Sequence, residues 1–249
     1  MNLCLYGPAP RWTMTERGRR DVVREPSRIA IGPSSLRWEG DALVAELDER
    51  ATPVPRRAAG TIRVMPQIVN AETFALDPAG RHSWRPAAPD ARIEVNLTAP
   101  AVRWSGGAYV DMNWGEEPLE AGFRSWDWSR SRLSRGSVVF YEGVRRSGDP
   151  FALAVRFGPC GRPEAIEPPP RQRLRRTNWL LPRTTRTEHA RRARIVRTLE
   201  DTPFYTRSVV DLRVLGEDAP TVHESVDLDR FASRWVQTLL PYRMPRRPS

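Results

Sequence analysis

The chain has 249 residues, which is enough to bury one large hydrophobic core or two modest ones. Its composition, 39% hydrophobic and 28% charged, is that of a soluble globular protein and excludes an intrinsically disordered chain. No apolar run reaches about 18 residues, so the sequence predicts no transmembrane helix. The first residues lack the basic start and long apolar run of a signal peptide, and we therefore expect a cytoplasmic protein.

The net charge is +10, which invites comparison with nucleic-acid-binding proteins. All 40 basic residues are arginine, lysine is absent, and the chain also holds 24 prolines. This composition is more typical of a GC-rich coding bias than of selection for phosphate contacts, and the arginine runs match no nucleic-acid-binding motif. We therefore predict a solvated basic face and no nucleic-acid partner. A weaker interpretation is peripheral attraction to anionic lipid head groups, as at the inner membrane.

Short strands dominate the periodicity of the chain. Segments that alternate polar and apolar residues, or are rich in β-branched ones, lie at residues 61–65, 92–97, 101–104, 137–144, 151–157 and 205–214. Turn-forming residues at 146–150 and 199–204 predict two β-hairpins. One amphipathic helix is predicted over residues 228–240, with Asp227 as its N-cap and Pro241 as its stop. Many antiparallel strands followed by a terminal helix favour an all-β barrel with the helix packed on it.

The stretch from residue 104 to 129 is the most aromatic part of the chain. Asp111 lies within it, two residues after Tyr109. Aromatic residues at this density suit an apolar pocket, and a carboxyl group in such a pocket has a raised pKa. A carboxylic acid that stays neutral there can protonate a carbon–carbon double bond. The structural interpretation is that the rings are core residues and Asp111 is a turn residue, and this stretch alone favours it.

A second pair of residues favours the catalytic interpretation. His82 and Trp84 form an H-x-W pattern upstream of the Y-x-D pattern at Tyr109 and Asp111. In a β-strand, residues i and i+2 point to the same face. Each pair can therefore direct both of its side chains into one cavity, which predicts a site with Asp111 largely buried.

Four blocks of the sequence resemble the carotenoid 1,2-hydratases, also called hydroxyneurosporene synthases. They are residues 5–18, 31–43, 80–84 and 109–129, and the similarity runs from about residue 3 to the predicted terminal helix. In that family an Asp with neighbouring His, Trp and Tyr residues is implicated in catalysis. The resemblance implies that Asp111, His82, Trp84 and Tyr109 are catalytic. We expect Trp104, Trp114 and Trp126 to bind substrate.

The resemblance also sharpens the fold to two lipocalin-like β-barrel domains in tandem. We expect the first over residues 1–116 and the second over 117–249, with Asp111 near their junction. Family members carry several dozen residues before the first block. The N-terminal barrel is therefore expected to be incomplete, with an exposed strand edge near residues 1–15.

The resemblance implies a hydratase that adds water across the terminal C1=C2 bond of acyclic carotenoids such as neurosporene and lycopene. Asp111 would protonate C2, the ring faces of Trp84 and Tyr109 would stabilise the resulting cation, and His82 would hold the water and accept its proton. In a second interpretation the Tyr109 hydroxyl orients the Asp111 carboxyl, and the sequence does not separate the two roles.

No cofactor and no metal site are predicted. The three histidines make no ligand pattern, nucleotide-binding motifs are absent, and His189 and His223 are expected at the surface or in loops. Asp127 is expected to brace a turn. The alternative function is a non-catalytic lipid- or carotenoid-binding lipocalin-like protein, which would have no need of a buried acid. A nucleic-acid-binding protein is suggested by charge alone.

Overall fold

The computed structural model describes residues 1–14, 17–189 and 192–243, and almost all of its regular structure is β. The all-β class predicted from the sequence is confirmed. Contacts divide the chain into two discontinuous units. The first comprises Met1–Gln67, Asp90–Tyr109 and Gln237–Ser249, and the second comprises Ile68–Pro89 and Val110–Val236. Two long strands each pass from one unit to the other. The two consecutive domains expected over residues 1–116 and 117–249 stay a prediction.

The first sheet contains those two long strands. Its eight strands run in the order β10-β9-β7-β6-β5-β4-β3, with the short β8 pairing to β9. They are β3 (Val22–Glu25), β4 (Arg28–Ile31), β5 (Ser34–Glu39), β6 (Ala42–Arg50), β7 (Arg57–Ile68), β8 (Phe74–Ala75), β9 (His82–Ala99) and β10 (Ala101–Gly115).

An N-terminal ribbon covers the core of the first unit. Strands β1 (Asn2–Leu5) and β2 (Arg11–Met14) pair with each other, and Leu3 and Leu5 pack against buried Leu47, Val95 and Leu97. Strands β1 and β2 form a separate two-stranded sheet, so within the described residues each has a neighbouring strand on one side only, as expected for a strand edge near residues 1–15. A further edge lies at β3, an end strand of the first sheet whose four residues are all exposed.

The second sheet belongs to the second unit. Its seven strands run in the order β14-β13-β12-β11-β19-β18-β17, and every pairing is antiparallel. They are β11 (Phe123–Leu133), β12 (Gly136–Arg145), β13 (Pro150–Phe157), β14 (Pro163–Ala165), β17 (Arg194–Asp201), β18 (Tyr205–Val214) and β19 (Glu217–Asp227). The alternation of side chains gives the sheet two faces. One face carries an apolar cluster of Val138, Phe140, Leu212 and Val214.

The same face also carries polar groups that hold a two-stranded ribbon, β15 (Arg171–Leu174) and β16 (Arg183–Arg186). Glu142 is 3% exposed and accepts hydrogen bonds from Arg171 at 3.1 Å and Arg186 at 2.8 Å. Thr184 donates to Asp127 at 2.6 Å. The buried Glu142 carboxylate thus holds two guanidinium groups of the ribbon, and Asp127 holds a third side chain, so these contacts fix the ribbon on the sheet.

The six predicted strand segments all lie within observed strands, and the predicted hairpins are the β12–β13 and β17–β18 connections. The predicted helix is broken in two. Asp227 caps α2 (Leu228–Phe231) by accepting from the N–H of Arg230 at 2.9 Å, as expected. Ser233 then donates to the Arg230 carbonyl at 2.5 Å, a bond that competes with helix continuation.

The second helix, α3, spans Arg234–Arg243 and does not stop at Pro241 as predicted. A proline in the last turn removes only one intrahelical hydrogen bond, which the helix tolerates there. A single-turn helix, α1 (Leu119–Gly122), precedes β11. Within the described ranges, none of the helices combines the length and apolar character needed to span a membrane.

Candidate active site

Trp84 and Asp111 form the centre of the site. Strand β9 alternates buried and less buried residues, which places His82 and Trp84 on its buried face. Trp84 is fully buried, and its Nε1 donates a 2.9 Å hydrogen bond to Oδ2 of Asp111. The ring of Phe74, opposite Trp84 on the paired strand β8, lies 5.3 Å from the Trp84 ring. The indole is therefore held by packing and by a bond to the carboxyl group.

Tyr141 continues the aromatic wall on the second sheet. Its ring centroid lies 5.6 Å from that of Trp84 and 5.7 Å from that of Trp126, both in edge-to-face geometry. The ring centroid of Phe151 lies 5.8 Å away. Burial raises the pKa of the Tyr141 phenol, and the nearby charges of Asp111 and Glu224 raise it further. Tyr141 therefore stays neutral and contributes a ring and a hydroxyl group to the site.

Glu224 is a second carboxyl group in this neighbourhood. Strand register places Tyr141, Trp128, Glu224 and Arg207 in one row across β12, β11, β19 and β18. With strands roughly 4.8 Å apart, Glu224 lies roughly 10 Å from Tyr141. Arg207 Nε donates to Glu224 at 2.8 Å. Burial raises the pKa of Glu224 and the charge of Asp111 adds to that effect, while Arg207 opposes it.

His82 occupies a tight pocket of its own. It is 2% exposed, its Nδ1 lies 3.3 Å from Oδ2 of Asp77, and its ring meets Phe123 edge-on at 4.8 Å. Gly115 and Gly122 make room for the ring, because a Cβ would lie 2.8 Å from Cδ2 at Gly115 and 2.4 Å from Cε1 at Gly122. Among the residues the structure describes, Nε2 of His82 has no hydrogen-bond partner.

Asp77 is the carboxylate that orients His82. Burial raises the pKa of Asp77, but hydrogen bonds from the backbone N–H groups of His82, Arg81 and Ala79 outweigh it and leave the pKa below its usual value. An ionised Asp77 accepts a hydrogen bond from the Nδ1–H group of His82, and this tautomer leaves Nε2 as the basic nitrogen. Ring contacts through Phe123, Phe151 and Tyr141 connect this pocket to Trp84.

Tyr109 and Asp111 both lie on β10 and are both partly buried, so the predicted strand geometry of the Y-x-D pair is present. Asp111 is less enclosed than expected, because β10 is an end strand of its sheet and has a neighbouring strand on one side only. Tyr109 is the last residue of its segment in the first unit, whereas Asp111 belongs to the second.

The three tryptophans expected to bind substrate differ in environment. Trp126 is partly buried against Tyr141 and belongs to the aromatic wall. Trp114 is 46% exposed and lies beneath the guanidinium group of Arg85, 5.5 Å from the ring centroid to Cζ. Trp104, in the first unit, is 48% exposed. Of these three tryptophans, Trp126 is the one that the described residues place in contact with the aromatic wall.

Two expectations outside this group are corrected. His223 was expected at the surface but is 1% exposed, and its Nε2 lies 2.7 Å from the Thr184 carbonyl. Asp127 lies inside β11 and accepts hydrogen bonds from Thr184 and Ser225, so it braces the ribbon and not a turn. Burial raises the pKa of Asp127 and lowers that of His223, although each opposes the shift of the other.

Sequence reasoning missed Tyr141, Glu224 and Asp77. Tyr141 and Glu224 reach the site through sheet register between distant strands, which no local pattern reveals. Asp77 carries a local signal, since a carboxylate five residues before His82 in a turn can bind backbone N–H groups.

The fold and site define an all-β protein with an acid and a histidine set among aromatic rings. The sequence matches the family model described as carotenoid hydratase CrtC over residues 1–249. It is 52% identical to an acyclic carotenoid 1,2-hydratase of Thiocapsa roseopersicina, over 99% of this chain and 61% of that protein. It is 39% identical to one of Cereibacter sphaeroides, over 100% of this chain and 89% of that protein. The chain belongs to the CrtC carotenoid hydratase family.

The chain spans 61% of the length of the Thiocapsa relative that it matches. A crystal structure assigned to AttH of Nitrosomonas europaea has the same fold, with a TM-score of 0.55 and 12% identity, over 84% of this chain and 72% of that one. At this level of identity the likeness concerns the fold alone.

Proposed function

We propose that this protein hydrates the terminal C1=C2 double bond of acyclic carotenoids such as neurosporene and lycopene, in carotenoid biosynthesis and without a cofactor. The observation that carries the proposal is the hydrogen bond from Trp84 to Asp111 beside a wall of aromatic rings. The names of the relatives, acyclic carotenoid 1,2-hydratases, support the same substrate class.

Asp111 is the proposed acid. Water does not attack an isolated alkene until a carbon has been protonated, and proton transfer to C2 leaves a tertiary cation at C1. An indole N–H can only donate, so Trp84 engages Oδ2 as an acceptor. We propose that the transferable proton is carried by the other oxygen, Oδ1.

Glu224 helps Asp111 to hold that proton. Two neighbouring carboxyl groups resist being ionised at the same time, so the pair retains a proton more readily than one isolated carboxyl group. Arg207 opposes this effect at Glu224, because its guanidinium group favours the ionised form of that carboxyl group.

The aromatic wall stabilises the cation. The faces of Trp84, Tyr141 and Trp126 present negative charge density without offering a nucleophile that could trap the carbon. A desolvated cation–π contact is worth roughly 2 kcal/mol, which corresponds to roughly a thirtyfold gain in rate.

His82 is the proposed base. Its Nε2 would accept the proton of the attacking water while Asp77, at 3.3 Å from Nδ1, stabilises the imidazolium ion that forms. The alkene gains a proton at C2 and hydroxide at C1, and the proton on His82 restores Asp111 through solvent, so the cycle balances.

Tyr109 has two proposed roles, a ring face for the cation or a hydroxyl group that orients Asp111. Tyr109→Phe separates them, because phenylalanine keeps the ring and lacks the hydroxyl group. We further propose that the protein works in the cytoplasm and meets its apolar substrate at the inner membrane, since a long hydrocarbon dissolves in the bilayer and not in water.

The function is tested by incubating the 249-residue protein with lycopene in detergent micelles, followed by chromatography and mass spectrometry of the pigment. The expected product is 1-hydroxy-1,2-dihydrolycopene, formed equally in the presence of a metal chelator. In heavy water the product should carry one deuterium at C2. Saturable lycopene binding without any product would contradict the proposal and support a non-catalytic binding protein.

A further inference from the structure

A loop of the second unit presents two large apolar side chains to solvent. Trp179 is 48% exposed and Leu180 is 60% exposed. The base of the loop is fixed, since the Leu180 N–H donates to the Thr177 carbonyl at 3.0 Å and the Leu181 N–H donates to Thr177 Oγ1 at 3.1 Å. Thr177 and Leu181 are themselves buried, so the exposure of the tip is a property of an ordered turn.

The backbone at the tip is unfavourable for its residue. Leu180 has φ +59°, the left-handed region that a branched apolar side chain rarely adopts. An Asn or Gly would relieve this conformation and remove the exposed apolar surface. A leucine in a strained and exposed position marks a candidate functional surface.

A second tryptophan extends the apolar tip. The ring of Trp235, at the start of α3, stacks on Trp179 with centroids 6.2 Å apart, and it is also 48% exposed. Arg230 donates to the Trp179 carbonyl at 2.7 Å and so fixes the loop against the end of α2. Together, Trp179, Leu180 and Trp235 form the "tryptophan tip".

Basic side chains flank the tryptophan tip. Arg173, Arg175 and Arg176 are exposed and precede it directly in the chain. They line a cavity of about 710 Å³ in which arginines outnumber acidic residues by five to two. Tryptophan and leucine beside arginine match the interface of a bilayer, where indole rings lie at the head-group level and guanidinium groups meet phosphates.

We propose that the tryptophan tip and its flanking arginines dock the protein on the surface of an anionic lipid bilayer. The net charge of +10 favours an anionic surface over a neutral one. Two exposed indoles and a leucine supply an apolar contact that needs no conformational change. This inference concerns binding to lipid and stands whether or not the site catalyses hydration.

The test is flotation of the 249-residue protein with vesicles of phosphatidylcholine alone or of phosphatidylcholine mixed with phosphatidylglycerol. The wild type should float with the anionic vesicles, and added salt should weaken the association. The double variant Trp179→Ser with Leu180→Ser should lower the fraction of protein bound to vesicles about tenfold. The double variant Arg175→Gln with Arg176→Gln should lower binding to the anionic vesicles and leave binding to phosphatidylcholine alone unchanged.

The matched control is Trp38→Ser, because Trp38 is 49% exposed on β5 but has no place in the tip. It should leave flotation unchanged, and circular dichroism should give every variant the wild-type melting behaviour. Equal binding by the loop variant and the wild type, or equal loss in Trp38→Ser, would overturn the proposal. So would lipid-free dimerisation that the loop variant abolishes, since that outcome assigns the tip to a second copy of the chain.

Vesicle binding and product formation are separate readouts. A protein that floats normally but forms no hydroxylated product overturns the proposed hydratase and leaves the docking surface intact. The loop variant should retain wild-type turnover on lycopene presented in detergent micelles, where no bilayer is needed.

Discussion

The indole nitrogen of Trp84 donates a 2.9 Å hydrogen bond to Oδ2 of Asp111, although 27 positions separate the two residues in sequence. The bond joins one member of the H-x-W pair on β9 to one member of the Y-x-D pair on β10. A fully buried tryptophan thereby orients a carboxyl group on β10, an end strand that has a neighbouring strand on one side only. This relationship makes Trp84 both a positioning residue and part of the proposed cation-binding wall.

Substitution of Trp84 should separate these two roles. Trp84→Phe keeps a ring face but lacks the N–H group that bonds to Asp111. Loss of one hydrogen bond costs about 0.5–1.5 kcal/mol, which predicts a kcat lower by roughly two- to tenfold. Trp84→Leu also removes the ring, which predicts about a further thirtyfold loss in kcat. Both variants should bind lycopene with little change in Kd. The control is Trp38→Leu, and equal kcat values for Trp84→Phe and Trp84→Leu would argue against a cation–π contribution.

Glu224 should make stability depend on pH. Burial, with the charge of Asp111, raises its pKa above the ordinary 4.5, so the folded state binds this proton more tightly than the unfolded state. Its contribution to stability is therefore fully present below pH 4.5 and is lost as the pH rises through the folded-state pKa. Glu224→Gln removes this titration. The unfolding free energy of the variant should thus improve relative to the wild type as the pH rises above 4.5.

Urea unfolding at a series of pH values measures that difference. The exposed residue Glu94 provides the matched control, and Glu94→Gln should follow the wild type across the series. A constant difference between Glu224→Gln and the wild type at every pH would show that Glu224 does not titrate differently in the folded state.

The pocket around His82 should not tolerate one added methyl group. A Cβ at residue 122 would lie 2.4 Å from Cε1 of His82, so Gly122→Ala must displace the imidazole ring. We expect a loss of about 1–3 kcal/mol in unfolding free energy and a lower kcat. Gly158→Ala is the control, since nothing lies within 4 Å of its Cβ position. Wild-type stability and activity in Gly122→Ala would contradict the tight packing of this ring.

The strands could be predicted because their signals are local. The alternation over residues 205–214 coincides with β18, and the turn at 146–150 produces the β12–β13 hairpin. The helix prediction was less accurate. Apolar spacing continues across Ala232 and Ser233, but the Ser233 side chain binds a backbone carbonyl and interrupts the helix. A periodicity count contains no information about such a competing hydrogen bond.

The site could be predicted in part for the same reason. Spacing by two residues on one strand pairs His82 with Trp84 and Tyr109 with Asp111, and each pair needs no tertiary information. The contribution of Tyr141 and Glu224 depends on the register of β12, β11 and β19, which is set by long-range pairing. Such residues become visible only once the sheet is assembled.

The most direct test of the account is the rate of hydration by Asp111→Asn. Asparagine has nearly the same shape as aspartic acid and can accept the Trp84 hydrogen bond, but it cannot deliver a proton to C2. The measurement is 1-hydroxy-1,2-dihydrolycopene formed per enzyme per minute, with lycopene binding and melting temperature determined on the same sample. The matched control is Asp41→Asn in the exposed turn between β5 and β6. We predict that Asp111→Asn folds and binds lycopene like the wild type and forms at least about a hundredfold less product. Product formation at the wild-type rate would contradict the role of Asp111 as proton donor and assign the proton to another group.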